Sequence, residues 1–120
     1  MPAQSTTSTA AQSDIVRGTL DLLILKALAL EPMHGWAIAQ RLEQLSRDVL
    51  RVGQGSLYPA LQRLEEKGWI ESDWRATEGG RRAKYYELTR AGRRALGAET
   101  AQWRRYVEMV ELILGTTVTS

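Results

Sequence analysis

Residues 53–68 constrain the fold of this chain more than any other stretch, because they combine a helical period with an unusual outer surface. The sequence reads G-Q-G-S-L-Y-P-A-L-Q-R-L-E-E-K-G. Its apolar residues recur at helical spacing and predict a stripe that packs on a core. That stripe comprises Leu57, Ala60, Leu61 and Leu64. The other side is short, flat or hydrogen-bonding, with a single charge, and comprises Ser56, Tyr58, Pro59, Gln62 and Arg63.

Two interpretations of this helix are open. It is either a core helix with an uncharged outer face or a recognition helix whose N-terminal residues enter a groove of DNA. A merely solvated face more often carries Lys and Glu, which here are confined to the C-terminal end. We expect Pro59 in or near the first turn, where a missing N–H costs little, and Gly68 as a C-cap. The neighbouring segments decide between the two interpretations.

Composition excludes several classes of protein. The 120 residues are 43% hydrophobic, which suits one small domain plus an appendage. Cysteine is absent and His34 is the single histidine, so we expect no disulfide and no metal site. Without a glycine-rich phosphate loop or clustered carboxylates, we also expect no cofactor and no enzyme activity. The N-terminus does not resemble a signal peptide, and the apolar run at residues 20–30 is too short to span a membrane, which predicts a soluble intracellular protein without a membrane partner.

Basic residues are unevenly distributed along the chain. The formal net charge is only +2, yet residues 75–94 contain seven basic and two acidic side chains. A concentrated basic patch is typical of a phosphate-binding surface, although many charge clusters only keep a surface soluble. The basic residues are Arg75, Arg81, Arg82, Lys84, Arg90, Arg93 and Arg94.

Two helices are predicted before residue 53. Residues 1–13 lack an apolar period, which predicts a disordered tail. The first helix starts at residues 14–19 and ends before Pro32. Leu22 and Leu25 add apolar surface on a second side, which predicts burial between two layers. The second layer is either another subunit or the last helix of the same chain. The core stripe of this helix comprises Leu20, Leu23, Ile24, Ala27 and Leu28.

The second helix is predicted at residues 35–46. We interpret His34 as a turn residue that hydrogen-bonds near the start of this helix, in preference to a proton switch or a ligand. Residues 49–52 are rich in β-formers and predict a short strand at the edge of a sheet. The predicted core residues of the second helix are Ile38, Leu42 and Leu45, and we interpret Trp36, near its start, as a core residue in preference to a binding-site residue.

A β-hairpin follows the recognition segment. Residues 69–75 alternate apolar and polar side chains, which predicts a half-buried strand, and residues 83–88 predict a second one. Residues 79–80 are a hairpin-type Gly-Gly pair, followed at once by Arg81 and Arg82. A hairpin with arginines at its tip beside a recognition helix is a wing.

The last helix is predicted at residues 90–115, with Thr89 as its N-cap. At 1.5 Å per residue it is roughly 40 Å long, too long for so small a domain to cover. Its apolar residues follow a coiled-coil-like pattern, so we expect a second copy of the chain to pack on it, with folding back onto its own domain as the alternative. The predicted dimer-interface residues are Leu22, Leu25, Leu96, Trp103, Tyr106, Val107, Val110, Ile113 and Leu114.

In chain order these elements predict a mainly α (α+β) fold, a winged helix-turn-helix with a long C-terminal dimerisation helix. The predicted domains are a disordered tail at residues 1–13, a DNA-binding domain at residues 14–88, a dimerisation helix at residues 89–115 and a disordered end at residues 116–120.

Four segments carry a family resemblance: R-G-T-L-D-L-L-I-L at residues 17–25, P-M-H-G-W-A-I-A at 32–39, G-S-L-Y-P-A-L-Q-R-L-E-E-K-G-W-I at 55–70 and G-G-R-R-A-K-Y-Y-E-L-T-R-A-G at 79–92. With them the chain resembles the short form of the PadR family of bacterial transcriptional regulators. The last two segments, in this order and spacing, are the most specific.

The resemblance implies a homodimeric regulator of double-stranded DNA, usually a repressor, in the bacterial cytoplasm and associated with the nucleoid. Two-fold symmetry implies a palindromic operator with half-sites about one helical turn apart. The third helix would enter the major groove and the wing would approach the minor groove or the backbone. The residues implied to face DNA are Ser56, Tyr58, Pro59, Gln62 and Arg63 on the helix and Arg81, Arg82 and Lys84 on the wing.

The resemblance also implies a small-molecule effector. Family members often respond to apolar or phenolic compounds, and in some of them aromatic residues line a pore at the dimer interface. Trp103 is the residue of this chain that would contact such an effector, although a place in the dimer core explains it equally well. The alternative function is a protein-interaction module on the same scaffold, without specific DNA binding.

Overall fold

The computed structural model describes residues 19–117, which form four helices and a three-stranded antiparallel sheet. The predicted α+β class with a long C-terminal helix is confirmed. The predicted tail at residues 1–13 and the end of the chain at residues 118–120 lie outside the described residues. The elements are α1 (residues 19–30), β1 (Met33–His34), α2 (Gly35–Leu45), α3 (Gln54–Glu66), β2 (Ile70–Ala76), β3 (Arg82–Leu88) and α4 (Arg90–Leu114).

The predicted apolar stripes of α1 and α3 form the centre of the core, and every residue of the α3 stripe is buried. On α1 the stripe is also buried, with Leu23 partly exposed. Leu25 differs from its predicted place in a dimer interface. It is 0% exposed within the single chain, so its side chain has no surface left for a partner, and we leave it out of the proposed interface. Leu22 keeps part of its surface exposed.

The sheet has the strand order β1-β3-β2. Strands β2 and β3 pair along their whole length, with Ile70 opposite Leu88 and Ala76 opposite Arg82, so the predicted hairpin is correct to within one residue at each strand. The edge strand β1 adds two residues, which pair with Tyr85 and Tyr86 of β3.

The edge strand predicted at residues 49–52 is wrong, because these residues form no strand. They follow a turn in which Arg47 and Asp48 both have positive φ, at 54° and 66°. Ser46 closes that turn, since its hydroxyl oxygen accepts a hydrogen bond from the Leu50 N–H at 2.9 Å. Val49, directly after this left-handed turn, is exposed.

Capping residues lie at predicted helix boundaries, two at helix starts and one at a helix end. His34 is the N-cap of α2, and its Nδ1 atom accepts a hydrogen bond from the Ala37 N–H at 3.2 Å. Thr89 caps α4 in the same way, accepting from the Gly92 N–H at 3.0 Å. Gly68 follows α3 with a φ of +76°, a conformation that glycine adopts without strain.

Pro59 lies deeper in α3 than predicted. The helix begins at Gln54, so Pro59 falls in its second turn. There a proline removes one hydrogen bond to the carbonyl four residues earlier, which belongs to Gly55. Gly55 is exposed, so water or a ligand can satisfy that carbonyl.

Two residues of α2 that were predicted to lie in the core are exposed. Trp36 is 61% exposed and Leu45 is also mostly exposed, whereas Ile38 and Leu42 are buried as predicted. Trp36 is therefore available for contacts outside the core.

Helix α4 joins the domain through a close backbone approach. The Thr89 hydroxyl donates to the Gly68 carbonyl at 2.7 Å, and the Thr89 N–H donates to the Trp69 carbonyl at 3.1 Å. A Cβ atom added at Gly92 would lie 1.9 Å from the Trp69 carbonyl oxygen. Only glycine fits there, because the contact is with backbone that cannot rotate away.

Replacing Gly92 by alanine is expected to lower the free energy of unfolding by about 3 kcal/mol, since the start of α4 must move away from Trp69. Gly97 is the matched control, because it lies in the same helix and a Cβ there meets nothing within 4 Å. Gly97→Ala is expected to raise stability by about 0.5–1 kcal/mol. Urea unfolding followed by circular dichroism measures both, and equal stabilities for the two variants would contradict the close approach.

Candidate nucleic-acid interface

The exposed side of α3 is the first part of the candidate interface. At 100° per residue, the face opposite the buried stripe is centred on Gly55, Pro59, Gln62 and Glu66, all of which are exposed. Pro59 and Gln62 thus lie on the outer face as predicted. The residues predicted from the sequence did not include Gly55 or Glu66, although the same helical period places both there. A single charge, on Glu66, lies at the C-terminal end of this face.

The N-terminus of α3 is open to an anion or a hydrogen-bond acceptor. Its N-cap Gly53 provides no side-chain cap, and the first turn carries no acidic residue. The Gly53 carbonyl accepts from the N–H groups of Ser56 and Leu57. Within residues 19–117 the N–H groups of Gln54 and Gly55 have no hydrogen-bond partner. Free N–H groups and the helix dipole both favour phosphate at such an end.

Tyr58 lies on the flank of α3 that faces the wing. Its ring covers Gly35 at the start of α2, where an added Cβ would come within 2.8 Å of the Tyr58 hydroxyl oxygen. Close by, burial raises the pKa of the Tyr86 phenol, and Glu65 and Tyr58 act in the same direction. The Tyr86 phenol therefore stays protonated at neutral pH. Tyr58 is therefore a partly exposed residue whose ring packs closely on the backbone of Gly35.

Arg63 lies on the other flank of α3, where it forms an ion pair with α1. Its Nη2 atom is 2.9 Å from the Asp21 Oδ1 atom, and the two side chains are 40% and 23% exposed. The structure therefore does not present Arg63 as a free cation on the outer face, where the sequence placed it. Asp21 holds one edge of the guanidinium, and the other donors remain for a DNA acceptor.

Removing the Asp21 carboxylate tests whether it positions Arg63. Asp21→Ala is expected to lower the ratio of specific to non-specific affinity about fivefold, because Arg63 loses a charge-assisted hydrogen bond that fixes its direction. The same change in an Arg63→Gln background is expected to have no further effect. Glu31→Ala is the matched control, since it breaks the longer 3.7 Å pair between Glu31, the residue after α1, and Arg41 of α2. An equal loss from Asp21→Ala with or without Arg63 would refute the positioning role.

The wing turn is held by its own backbone and by one threonine. The Thr77 N–H and hydroxyl both donate to the Arg81 carbonyl, at 2.6 and 2.8 Å, and the Gly80 N–H donates back to the Thr77 carbonyl at 3.0 Å. Gly80 has a φ of +83°. Arg81 and Arg82 leave this turn exposed, and neither has an ion-pair partner in the described part of the chain. Their guanidinium groups are therefore not engaged by protein carboxylates in that part of the chain.

Two other basic residues are already paired. Arg75 contacts Asp73 at 3.0 Å and Glu87 at 3.4 Å, so it adds little to the free positive charge of the wing. Lys84 lies 3.8 Å from the Glu65 carboxylate of α3. Lys84 is thus on the inner side of the wing, facing α3, and away from the tip where the sequence placed it. Arg82 shares that face of β3, two residues nearer the turn.

The outer two-thirds of α4 stand away from the domain. The buried residues of α4 are Gly92 and Ala95, both in its first two turns. The alternative that α4 folds back onto its own domain therefore does not hold for the single chain. Its apolar stripe spreads over about 120° of the helix. Trp103, Tyr106, Ile113 and Leu114 of this stripe are exposed, and Leu96, Val107 and Val110 are partly exposed.

A sequence model of the Transcriptional regulator PadR-like family matches residues 24–98. The chain belongs to the PadR-like family. Transcriptional regulator Rv3488 from Mycobacterium tuberculosis (strain ATCC 25618 / H37Rv) is 38% identical over 99 residues, which are 82% of this chain and 86% of that protein. As a PadR-like protein the chain is a transcriptional regulator and not an enzyme.

Solved structures extend the likeness to the whole PadR-like chain. A PadR family transcriptional regulator from Eggerthella lenta DSM 2243 has a TM-score of 0.80 at 31% identity and covers 98% of this chain and 100% of its own. A transcriptional regulator from Clostridium thermocellum has a TM-score of 0.75 at 26% identity, covering 82% and 95%. No helix within residues 19–117 is both long and apolar enough to cross a membrane.

Proposed function

We propose that this PadR-like regulator is a sequence-specific repressor that binds a palindromic operator as a homodimer. The observation that carries the proposal is the pairing of two surfaces. One is the almost uncharged outer face of α3 with its open N-terminus. The other is the wing, whose Arg81 and Arg82 are exposed and unpaired among the described residues. In this arrangement the helix would provide specificity by contacting base edges, and the hairpin would provide affinity by contacting phosphates.

On α3, Gln62 is the residue best suited to direct readout. It is exposed at the centre of the outer face, and its amide can form two hydrogen bonds to adenine in the major groove. Ser56 and the open N-terminus suit a phosphate beside the groove, and Pro59 gives an apolar contact to a thymine methyl group. Glu66 at the far end would be repelled by phosphate, so the N-terminal half of α3 enters the groove more deeply.

The exposed stripe of α4 supports the homodimer. A continuous apolar stripe of this length on a protruding helix is an interaction site, and a second copy offers a matching stripe by symmetry. Leu22 on α1 keeps part of its surface for the same contact. Pairing through α4 would set two α3 helices on one face of the duplex, with half-sites about one helical turn apart.

An aromatic or apolar effector would act through the same interface. The rings of Trp103 and Tyr106 lie 5.9 Å apart on the exposed stripe of α4. A compound that packs between Trp103 and its symmetric copy would change the spacing of the two α3 helices and release the operator. Such a regulator works in the bacterial cytoplasm, bound to the nucleoid.

Selection of bound duplexes from random DNA tests the proposal, at about 0.15 M salt where non-specific binding is weak. We expect an enriched palindrome whose half-sites lie about one helical turn apart. Gln62→Ala should relax the preference at one position of each half-site. Recovery of unenriched DNA would favour the protein-interaction module, which predicts no specific duplex binding.

A further inference from the structure

Three exposed aromatic side chains meet in one groove between α3 and the wing. Trp36 at the start of α2 is 61% exposed, Tyr58 on α3 is 45% exposed and Trp74 on β2 is 59% exposed. Outside α4, they are the aromatic residues that are exposed in the described part of the chain. Lys84 and Tyr86 of β3 complete the walls of this groove, whose volume is about 520 Å³. Such a concentration of exposed rings at one place indicates a contact surface.

The free polar groups of the groove are suited to donate hydrogen bonds. Within residues 19–117 no hydrogen bond involves the indole N–H of Trp36 or Trp74 or the hydroxyl of Tyr58. The groove therefore suits a partner that presents acceptors.

Lys84 provides the positive charge of the groove, and its ion pair with Glu65 is long. Its Nζ atom is 3.8 Å from Glu65 Oε1, while Glu65 Oε2 accepts a 2.8 Å hydrogen bond from the Ser72 hydroxyl. The carboxylate thus keeps a partner if the ammonium group turns toward a ligand. Among the residues that line this groove, Lys84 is the one with a permanent charge, so an anionic acceptor is favoured.

The position of the groove identifies the partner. If α3 enters the major groove and the wing approaches the neighbouring minor groove, the sugar–phosphate strand that separates the two grooves must cross the gap between α3 and the wing. That gap is the aromatic groove. The backbone of DNA alternates apolar deoxyribose with anionic phosphate oxygens, which accept hydrogen bonds and donate none.

We infer that the groove formed by Trp36, Tyr58, Trp74 and Lys84 seats this segment of the DNA backbone. The indole rings pack on deoxyribose, while their N–H groups, the Tyr58 hydroxyl and the Lys84 ammonium donate to phosphate oxygens. Because these contacts reach no base edge, they set the angle and depth of α3 and contribute equally on every sequence. The inference rests on the proposed DNA-binding function and assigns Trp36 and Trp74 to it.

Conservative variants test the assignment on the selected duplex and on an unrelated one. Trp36→Phe and Trp74→Phe keep an aromatic ring but remove the donor, and each is expected to weaken binding to both duplexes about fivefold to tenfold. Lys84→Gln is expected to weaken both and to reduce the slope of log K against log salt by about 0.9, whereas the neutral donors leave the slope unchanged. Tyr85→Phe is the control, because it removes a hydroxyl from the opposite face of the same strand.

Neutral methylphosphonate linkages, placed one at a time along the duplex, locate the contact. The linkage that faces the groove should weaken wild-type binding but have little effect on Lys84→Gln, because the partner charge is already gone. A thermal unfolding curve for each variant confirms that it folds, which is expected since the three aromatic side chains are exposed.

The possible results separate the inference from the function on which it rests. If the wild type selects no sequence, the proposed function fails first. If it does select one, while Trp36→Phe and Trp74→Phe match Tyr85→Phe, the groove does not hold the backbone. A loss confined to the selected duplex would assign the aromatic residues to base reading and overturn the inference. Quenching of Trp36 and Trp74 fluorescence by 2-naphthoate, with DNA binding unchanged in the variants, would make the groove a small-molecule site instead.

Discussion

Replacing Arg81 and Arg82 together by alanine is expected to weaken DNA binding about 60-fold at 0.1 M salt. Each phosphate contact on a duplex contributes about 0.9 to the slope of log K against log salt, so two lost contacts reduce the slope by about 1.8. At 1 M salt counterion release contributes little, so the wild type and the variant should bind about equally. A slope difference of about 1.8 then gives a roughly 60-fold difference in affinity at 0.1 M salt. Both arginines are exposed and unpaired in the described part of the chain, so neither must break a protein contact first.

The loss should be the same on the selected palindrome and on unrelated DNA, because phosphate contacts carry no sequence information. Fluorescence anisotropy across a salt series measures affinity and slope together. Arg104 and Arg105 give a matched control, since they are also adjacent and exposed but lie on α4, where no DNA contact is proposed. If the control pair lost as much affinity as the wing pair, overall charge would explain the effect and the wing assignment would fail.

Where one element supplies its own signal, the sequence was sufficient to predict the fold. The stripe of α3 follows from the helical period of four apolar residues, and all four are buried. The caps at His34 and Thr89 follow from side chains that can accept an N–H three residues on, and both hydrogen bonds form. The wing follows from a Gly-Gly turn between two alternating segments. These signals are local, so no knowledge of distant residues was needed.

Features that depend on two distant parts of the chain could not be predicted in this way. Arg63 was placed toward DNA from its position on α3, but its partner Asp21 is 42 residues away, so no spacing rule relates them. Strand β1 is two residues long and shows no alternation; its position is set by pairing with β3. Lys84 was grouped with the tip arginines by sequence, while the strand geometry turns it toward Glu65.

The aromatic groove shows the same limit at the candidate site. Trp36, Tyr58 and Trp74 come from three elements. The sequence predicts Tyr58 on the outer face of α3, but no local signal places the two tryptophans beside it. Trp36 was in fact assigned to the core, where a tryptophan near a helix start commonly lies. Only the tertiary arrangement leaves all three exposed along one groove. Leu22 and Leu25 show the opposite case, in which a residue predicted at an interface lies in the core. Both are predicted on a second apolar side of α1, but Leu25 is completely buried.

Placing a glutamate in the exposed stripe of α4 is expected to have the largest effect on DNA binding. In the proposed dimer Val110 lies near the middle of the stripe. Val110→Glu would place one carboxylate from each subunit in the apolar interface, close to its symmetry-related copy. Burying an unpaired charge costs several kcal/mol, roughly enough to dissociate a small helical interface at micromolar concentration. We therefore expect a monomer in sedimentation velocity at concentrations where the wild type is a dimer.

Operator binding should then fall about 100- to 10,000-fold, because the second half-site is no longer bound intramolecularly by a linked subunit. Affinity for a single half-site should change little, since α3 and the wing are untouched. This difference separates loss of pairing from loss of the fold, in which case both affinities would fall together.

Ala101→Glu provides the matched control for Val110→Glu. Ala101 is exposed and lies nine residues earlier, which is two and a half turns and hence the opposite side of α4. It adds the same charge to the same helix outside the proposed interface, so the dimer and its operator affinity should persist. If Val110→Glu remained a dimer with full operator affinity, the two DNA-binding domains would have to be joined through another surface. The side of α1 that carries the partly exposed Leu22 would then be the next candidate.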